Sequence, residues 1–302
     1  MTWKFELVHG PLQRPIGGLA WDGEAMLMAD INDSVILRYA PREKRVSVAR
    51  KYTNRINGIA FGPDGVLNGC QEGSRRIVRL LADGSAMVPA TQLEGRNHNN
   101  PCMLALDREG RIWFSDPHHP VAASGPHLFP LLEHQSVLRL ECGPRRQSHW
   151  HIERMTFDTA APRGVALSPD GKTLYVAETD NRPGGTRELR AYSVLEDGTL
   201  GPYIVLHTFA HDRRGVHRGI EGMCVDSEGN IVACAGWQRS GPGPLVYVFA
   251  PSGAVLETHP VPADMPVNCA FGDAGLSSLY VTTAQGHVFR VPSTGRKGHA
   301  LT

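Results

Sequence analysis

The sequence predicts an all-β fold, a six-bladed β-propeller closed by an N-terminal strand, as one domain over residues 1–302. Two observations support this prediction. A short phrase, consisting of a variable residue, usually a Gly, and an apolar–small–apolar triplet, recurs six times along the chain. Each copy is followed by a turn and by short runs rich in Val, Ile, Leu, Tyr and Phe, which are typical of strands. Repeats of this size with three or four antiparallel strands are typical of propeller blades.

The phrase begins, in chain order, at Gly17, Asn57, Cys102, Arg163, Glu221 and Val267. Two strand-like runs follow each copy: AMLMADI and SVILRYA, VLNGCQE and RIVRLLADG, RIWFSDP and SVLRLEC, TLYVAET and ELRAYSVLEDG, NIVACAGW and LVYVFAPSG, and SLYVTTA and HVFRVPSTG. Helical solenoids have repeats of similar length, but their amphipathic 3.6-residue pattern is absent. Each copy therefore predicts one blade.

The N-terminal run over residues 3–8 alternates like a strand but has no phrase of its own. We expect it to pair with HVFRV in the last blade, which closes the ring and leaves no free sheet edge.

Composition limits the classes of function. The chain of 302 residues is 41% hydrophobic and can bury a large core. It has 31 Lys and Arg against 30 Asp and Glu, a balance that does not suit nucleic acid. No apolar run approaches the ~20 residues of a membrane span, and MTWKFELVHG lacks the apolar core of a signal peptide. We expect a cytoplasmic monomer or small homo-oligomer that acts on a small-molecule substrate, not on nucleic acid or a membrane.

The six cysteines form no CxxC pair, and most lie in strand-like runs. They are predicted to be free, mostly buried thiols, although their even number leaves disulfides open.

In a propeller the innermost strand of each blade lines a central channel, so the six first positions of the phrase should meet at one mouth. The Gly that usually follows gives the backbone freedom and leaves space near the axis. Arg163 and Glu221, on consecutive blades, predict a binding site there. The alternative is that such residues only bind neighbouring backbone.

Several segments resemble the SMP-30/gluconolactonase/LRE-like group and, more distantly, diisopropylfluorophosphatase and strictosidine synthase. The resemblance covers nearly the whole chain and is carried by RINGIAFGPDG, GRIWFSDP, RGVALSPDGKTLYVAETDN, RELRAYSVLEDGTLG, GIEGMCVDSEGNIVACAG and PVNCAFG. It implies a six-bladed propeller and a lactonase-like hydrolase that acts on a lactone or a related cyclic carbonyl compound. The group also contains phosphotriesterase-like hydrolases and members without a metal.

The resemblance also implies one divalent cation, held by a Glu in the first blade, an Asn in each of two middle blades and an Asp in the fifth. These positions fall on Gly17, Cys102, Arg163 and Glu221, so only Glu221 keeps the ligand type. A hard cation needs several oxygen ligands. We therefore expect no metal cofactor, with the Arg163 guanidinium in place of the cation. A divalent metal at Glu221 with nearby histidines such as His118, His119 or His217 remains open.

In this hypothesis Glu221 is the general acid or base and Arg163 polarises the substrate carbonyl. His118 and His217 are candidate proton carriers, because His titrates near neutral pH. The candidate substrate-binding residues are Asn57, Cys102, His119, Asp116 and Trp237. Two other functions remain open: a metal-independent lyase, isomerase or cyclase in the same pocket, and a propeller that binds a ligand without catalysis.

Overall fold

The fold was examined in a computed structural model, which describes residues 3–118, 130–143 and 149–300. These residues form six antiparallel sheets of four strands, one for each predicted blade. Blades one and two contain the strands Ile16–Trp21, Met26–Asp30, Val35–Ala40 and Arg45–Lys51, then Ile56–Phe61, Leu67–Gln71, Arg76–Leu80 and Ala86–Met87. Blades three and four contain Leu104–Leu106, Ile112–Asp116, Ser136–Cys142 and Trp150–Arg154, then Pro162–Leu167, Thr173–Thr179, Arg187–Val194 and Leu200–Thr208.

Blade five contains the strands Gly222–Val225, Ile231–Trp237, Ser240–Phe249 and Val255–Pro260. Blade six contains Pro266–Gly272, Ser278–Thr283 and Val288–Val291, with Glu6–His9 as its fourth strand. Two short hairpins lie in the connections, Gln92–Leu93 with Arg96–Asn97 and His211–Asp212 with Gly215–Val216. Two single 3₁₀ turns are Glu72–Ser74 and Ala274–Leu276.

The N-terminal strand closes the ring as predicted. Glu6 lies opposite Arg290 and Leu7 opposite Phe289, so the first strand of the chain pairs with the last. This arrangement satisfies the backbone groups at the edge of blade six. The closing strand is shorter than the alternating sequence pattern, because it begins at Glu6.

The second strand of each blade carries most of the core. Met26–Asp30, Ile112–Asp116 and Ser278–Thr283 are buried at every position. Each such strand has hydrogen-bonded neighbours on both sides and adjacent blades against both faces. Burial on both faces explains why these runs are almost continuously apolar instead of alternating.

The glycines of the repeated phrase lie where the inner strands of neighbouring blades approach each other closely. The Gly58 amide donates to the Cys102 carbonyl over 2.8 Å, and a Cβ at Gly58 would lie 2.6 Å from that oxygen. A Cβ at Gly222 would likewise lie 2.6 Å from the Val267 carbonyl oxygen. Neither glycine has a positive φ. The predicted need for backbone freedom is therefore wrong, and the glycines are required because the next inner strand leaves no room for a side chain.

We expect Gly58→Ala to lower the free energy of unfolding by about 1–3 kcal/mol, the usual cost of overpacking. Gly201→Ala is the matched control, because the nearest atom to its added Cβ is 3.7 Å away and its φ is not positive. Urea unfolding of both variants measures the difference. Equal stability of the two variants would contradict the steric explanation.

The channel has two ends that differ in chemistry. The end at which the inner strands begin, and where the six first positions of the phrase lie, is called the upper mouth. The end at which the inner strands finish is called the lower mouth. Met103 and Asn268 occupy the positions that are Gly in four other blades, and their side chains meet, with Asn268 Nδ2 3.6 Å from Met103 Sδ. This contact narrows the channel between the mouths. No helix in the described parts of the chain is long and apolar enough to cross a membrane.

Candidate active site

Arg163 and Glu221 face each other at the upper mouth. Arg163 belongs to the inner strand of blade four, and Glu221 directly precedes the inner strand of blade five. Arg163 Nη1 lies 3.7 Å from Glu221 Oε1, and about a fifth of each side chain is exposed. The sequence therefore correctly predicted that these two residues meet. Because both side chains are partly exposed, a polar molecule that enters the mouth can contact the guanidinium and the carboxylate together.

A second guanidinium fixes the position of Glu221. Arg218 Nη2 donates to Glu221 Oε2 over 3.1 Å, and Arg218 Nη1 donates to the Pro266 carbonyl over 2.8 Å. Arg218 is buried, so this anchor is rigid. Burial is the largest single influence and lowers the pKa of Arg163, but Glu221, Cys102 and Glu72 together outweigh burial, so the net pKa of Arg163 is raised. The site therefore keeps a permanent positive charge beside an anchored carboxylate.

A second carboxylate, that of the buried Glu72, lies close enough to Arg163 and Glu221 to interact with their charges. Asn57 Nδ2 donates to Glu72 Oε1 over 2.8 Å, and Arg55 Nη2 lies 3.6 Å from Glu72 Oε2. Burial raises the pKa of Glu72, although the Asn57 hydrogen bond and the charges of Arg55 and Arg163 oppose the shift. Among the described residues, Asn57 Oδ1 and Arg163 Nε are buried without a hydrogen-bond partner. A bound polar molecule can satisfy such atoms.

Cys102 packs between these groups as a protonated thiol. Its side chain is buried, and its sulfur accepts from Asn57 Nδ2 over 3.5 Å. Burial raises the pKa of Cys102 to about 12, although Arg163 partly opposes the shift. A thiol that stays protonated at neutral pH is a poor nucleophile and a poor metal ligand.

The residues at the implied metal positions do not fit a divalent cation. Gly17 offers no side chain, and a Cβ there would lie 2.3 Å from Asn57 Oδ1, so Asn57 occupies the place of the expected first-blade ligand. Cys102 is a protonated thiol, and Arg163 places a positive charge at the site. Glu221 is left as the one oxygen ligand of the four. No group of three or more His, Cys, Asp or Glu able to hold a metal occurs in residues 3–118, 130–143 and 149–300.

The other predicted site residues have contacts of their own. His118 Nε2 lies 2.9 Å from the Leu132 carbonyl oxygen, and His217 Nε2 lies 3.6 Å from Asp212 Oδ2. Trp237 Nε1 donates to the Val216 carbonyl and to Ser240. These contacts tie all three side chains to nearby loops, and their catalytic or binding roles stay predictions. His119 lies outside the described residues.

Asp116 is fully buried at the end of its strand. Its Oδ2 accepts the Asn99 amide over 2.8 Å, and Asn99 in turn accepts the Leu132 amide over 2.7 Å. Burial raises the pKa of Asp116 to about 7, although the Asn99 hydrogen bond and Arg75 oppose the shift. These contacts are structural, and the predicted contact between Asp116 and substrate stays a prediction that this burial does not favour.

The Asp116 pKa predicts a pH dependence of stability. The folded value, about 7, is raised above the ordinary value of 3.8, so ionisation of Asp116 opposes folding. The contribution of the protonated Asp116 carboxyl to the free energy of unfolding is complete below pH 3.8 and is lost as the pH rises through about 7. We expect the loss to be about 4 kcal/mol, since the shift is about three pKa units and one unit is worth about 1.4 kcal/mol.

Asp116→Asn should remove this fall in stability, because asparagine can accept the Asn99 amide but does not ionise. Urea unfolding of both proteins at several values between pH 4 and 8 compares the slopes, so any constant cost of the substitution cancels. An equal slope in both proteins would show that Asp116 does not titrate in this range.

Sequence reasoning missed Glu72, Arg218 and Arg55, which complete the upper mouth. One signal was available for Glu72. The second strand of a blade runs antiparallel to the first, so a residue that follows it returns to the mouth where the phrase begins. Glu72 directly follows the second strand of blade two. Arg218 and Arg55 precede the phrase by a few residues, and no periodic pattern distinguishes them from surface arginines.

The lower mouth holds a cavity whose lining differs from that of the upper mouth. Its volume is about 690 Å³, and the inner strands of all six blades contribute to its wall. The wall includes Ile59, Leu106, Val165, Val225, Cys224 and Cys269, and Arg108 and Lys172 also line the cavity. Arg163 and Glu221 do not line this cavity. The cavity and the charged pair therefore lie at opposite ends of the channel.

Comparisons with known proteins agree with the fold and indicate an activity. A family model described as the SMP-30/gluconolactonase/LRE-like region matches residues 17–285. A gluconolactonase from Zymomonas mobilis is 27% identical over 266 residues, which cover 87% of this chain and 70% of that protein. A pentonolactonase from Haloferax volcanii is 26% identical over 282 residues, which cover 93% of this chain and 82% of that protein.

A solved structure agrees with these relatives. The structure of a gluconolactonase from Xanthomonas campestris matches with a TM-score of 0.78 and 28% sequence identity. The match covers 96% of this chain and 89% of that structure. The match therefore extends over nearly the whole propeller.

Proposed function

This chain belongs to the SMP-30/gluconolactonase/LRE-like family, and we propose that it hydrolyses a lactone at its upper mouth without the divalent metal implied for that family. Relatives named as lactonases support the reaction class. The unsuitable donor set at the implied metal positions supports the absence of a metal from the mechanism. The substrate we propose is a small lactone or a related cyclic carbonyl compound.

The Arg163–Glu221 pair is the observation that carries this proposal. Lactone hydrolysis needs a base to activate water and a positive group to stabilise the oxyanion of the tetrahedral intermediate. Arg163 supplies the positive group, with Nη1 3.7 Å from Glu221 Oε1. Glu221 supplies the base and is held in place by Arg218. The two roles are thus available within one partly exposed pair.

The proposed reaction follows from these positions. Glu221 takes a proton from water, and the resulting hydroxide attacks the lactone carbonyl carbon. The Arg163 guanidinium donates hydrogen bonds to the oxyanion that forms. When the ring C–O bond breaks, the proton on Glu221 passes to the leaving alkoxide, and the product is a hydroxy acid. The carboxylate ends the cycle in its initial state.

Asn57 is the residue we assign to substrate orientation. Its Nδ2 is bound to Glu72, which fixes the side-chain amide and leaves Oδ1 buried without a partner among the described residues. A hydroxyl group of the substrate can donate to that oxygen. Glu72 therefore acts as a positioning residue, through Asn57.

The proposal is tested with purified protein treated with EDTA and then dialysed. We expect this protein to hydrolyse lactones of aldonic acids at the rate of the untreated protein, measured by base uptake at constant pH. Loss of turnover on chelation, with recovery on adding one divalent metal, would overturn metal independence. Tight binding of lactones without turnover would instead support a ligand-binding propeller, and formation of an unsaturated or isomerised product would support the lyase or isomerase alternative.

A further inference from the structure

Two thiols meet at the lower mouth, away from the proposed catalytic pair. Cys224 lies on the inner strand of blade five and Cys269 on the inner strand of blade six. Their sulfur atoms are 3.7 Å apart. The two strands belong to different sheets, so hydrogen-bond pairing within one sheet does not impose this proximity. It results from the packing of one blade against the next.

The cavity at the lower mouth gives small molecules access to this pair. Cys224 and Cys269 both contribute to the wall of the 690 Å³ cavity. Cys224 is partly exposed, whereas Cys269 is buried and its sulfur donates to the Val232 carbonyl over 3.3 Å. A reagent that enters the cavity therefore meets Cys224 first, with the second sulfur in contact behind it.

We propose that Cys224 and Cys269 form a modification site that small peroxides oxidise to a reversible disulfide. The separation of the sulfur atoms must fall to the ~2.05 Å of a disulfide bond, which requires rotation of the two side chains and a small shift between the blades. Neither thiol has a role in the proposed hydrolysis, so this site does not depend on that proposal.

The chemistry is balanced with hydrogen peroxide as the oxidant. The Cys224 sulfur attacks one peroxide oxygen, the O–O bond breaks, and a sulfenic acid and hydroxide form. The Cys269 sulfur then attacks the Cys224 sulfur, the S–S bond forms and the S–O bond breaks. The departing hydroxide and the one from the first step take the two thiol protons and leave as water. Two thiols lose two electrons, and one peroxide becomes two waters.

Two of the other cysteines provide internal comparisons. Cys142 is exposed and far along the chain from the pair, so it reports ordinary surface oxidation. Cys234 is fully buried in the second strand of blade five, and its thiol contacts Cys269 from the core side. Since Cys234 does not line the cavity, we expect peroxide to leave it reduced.

The test uses the full chain with Cys142→Ser, so that surface oxidation does not interfere. The protein is treated with hydrogen peroxide, its remaining thiols are alkylated, and the unreduced digest is mapped by mass spectrometry. We expect one cross-linked peptide pair that joins Cys224 to Cys269, is two hydrogen masses lighter than the reduced pair and is lost on adding dithiothreitol. The oxidised protein should also unfold at a temperature a few degrees higher, because the cross-link restricts the unfolded chain.

Two further variants make the result specific. Cys224→Ser should abolish the cross-link, and Cys234→Ser should leave its yield unchanged. A folded protein whose Cys224 and Cys269 stay fully alkylatable after peroxide treatment would overturn the proposal. A cross-link between Cys234 and Cys269, or oxidation that stops at a sulfenic or sulfinic acid on Cys224, would also overturn it.

Discussion

Replacing Arg163 with glutamine is expected to lower kcat for lactone hydrolysis by about 10²–10³-fold, the usual cost of losing a group that stabilises an oxyanion. Glutamine is similar in length but carries no charge, and Glu221 would then lose the positive charge of Arg163 beside it. KM should change much less than kcat, because the charge of Arg163 acts mainly on the developing oxyanion. Steady-state kinetics of the purified variant measure both constants.

Two comparisons separate this role from a structural one. Arg163→Lys keeps the charge but not the planar donors, so we expect it to retain more activity than Arg163→Gln. Arg45→Gln, on the exposed outer strand of blade one, should leave kcat unchanged. If Arg163→Gln has the unfolding temperature and the kcat of the unaltered protein, the assignment of the oxyanion site is wrong.

Replacing Glu221 with glutamine is expected to lower kcat by about 10²–10⁴-fold, the range for loss of a general base. The glutamine oxygen can still accept from Arg218, so the side chain should keep its position. The amide cannot take a proton from water, however, so the loss should persist at every pH at which the protein is folded. The pH profile of kcat for the two proteins measures this difference.

Glu228→Gln is the matched control, because Glu228 is an exposed glutamate in the turn after the same inner strand. Its kcat should equal that of the unaltered protein. Turnover by Glu221→Gln that matches this control would show that another group activates water. Glu72 would then be the next carboxylate to replace, since it lies in the same cluster.

The repeated phrase and the strand-like runs were sufficient to predict the blades, their order and the closing strand. This prediction succeeded because a short apolar run between turn residues is a local property, and six copies average out local irregularities. The convergence of Arg163 and Glu221 also followed from the repeat, since equivalent positions of consecutive blades are neighbours by symmetry. The phrase that predicted the fold therefore also predicted the central pair of the site.

Contacts between non-equivalent positions could not be predicted in this way. Asn57 binds Glu72, and Arg218 anchors Glu221 through the Pro266 carbonyl. The Cys224 and Cys269 sulfur atoms likewise meet across two blades. Each of these contacts depends on the direction of one side chain and on the packing between sheets, which vary from blade to blade. The amino-acid sequence alone determined the ring and the position of its charged pair, whereas the tertiary structure decided which neighbours hold, bury or approach those residues.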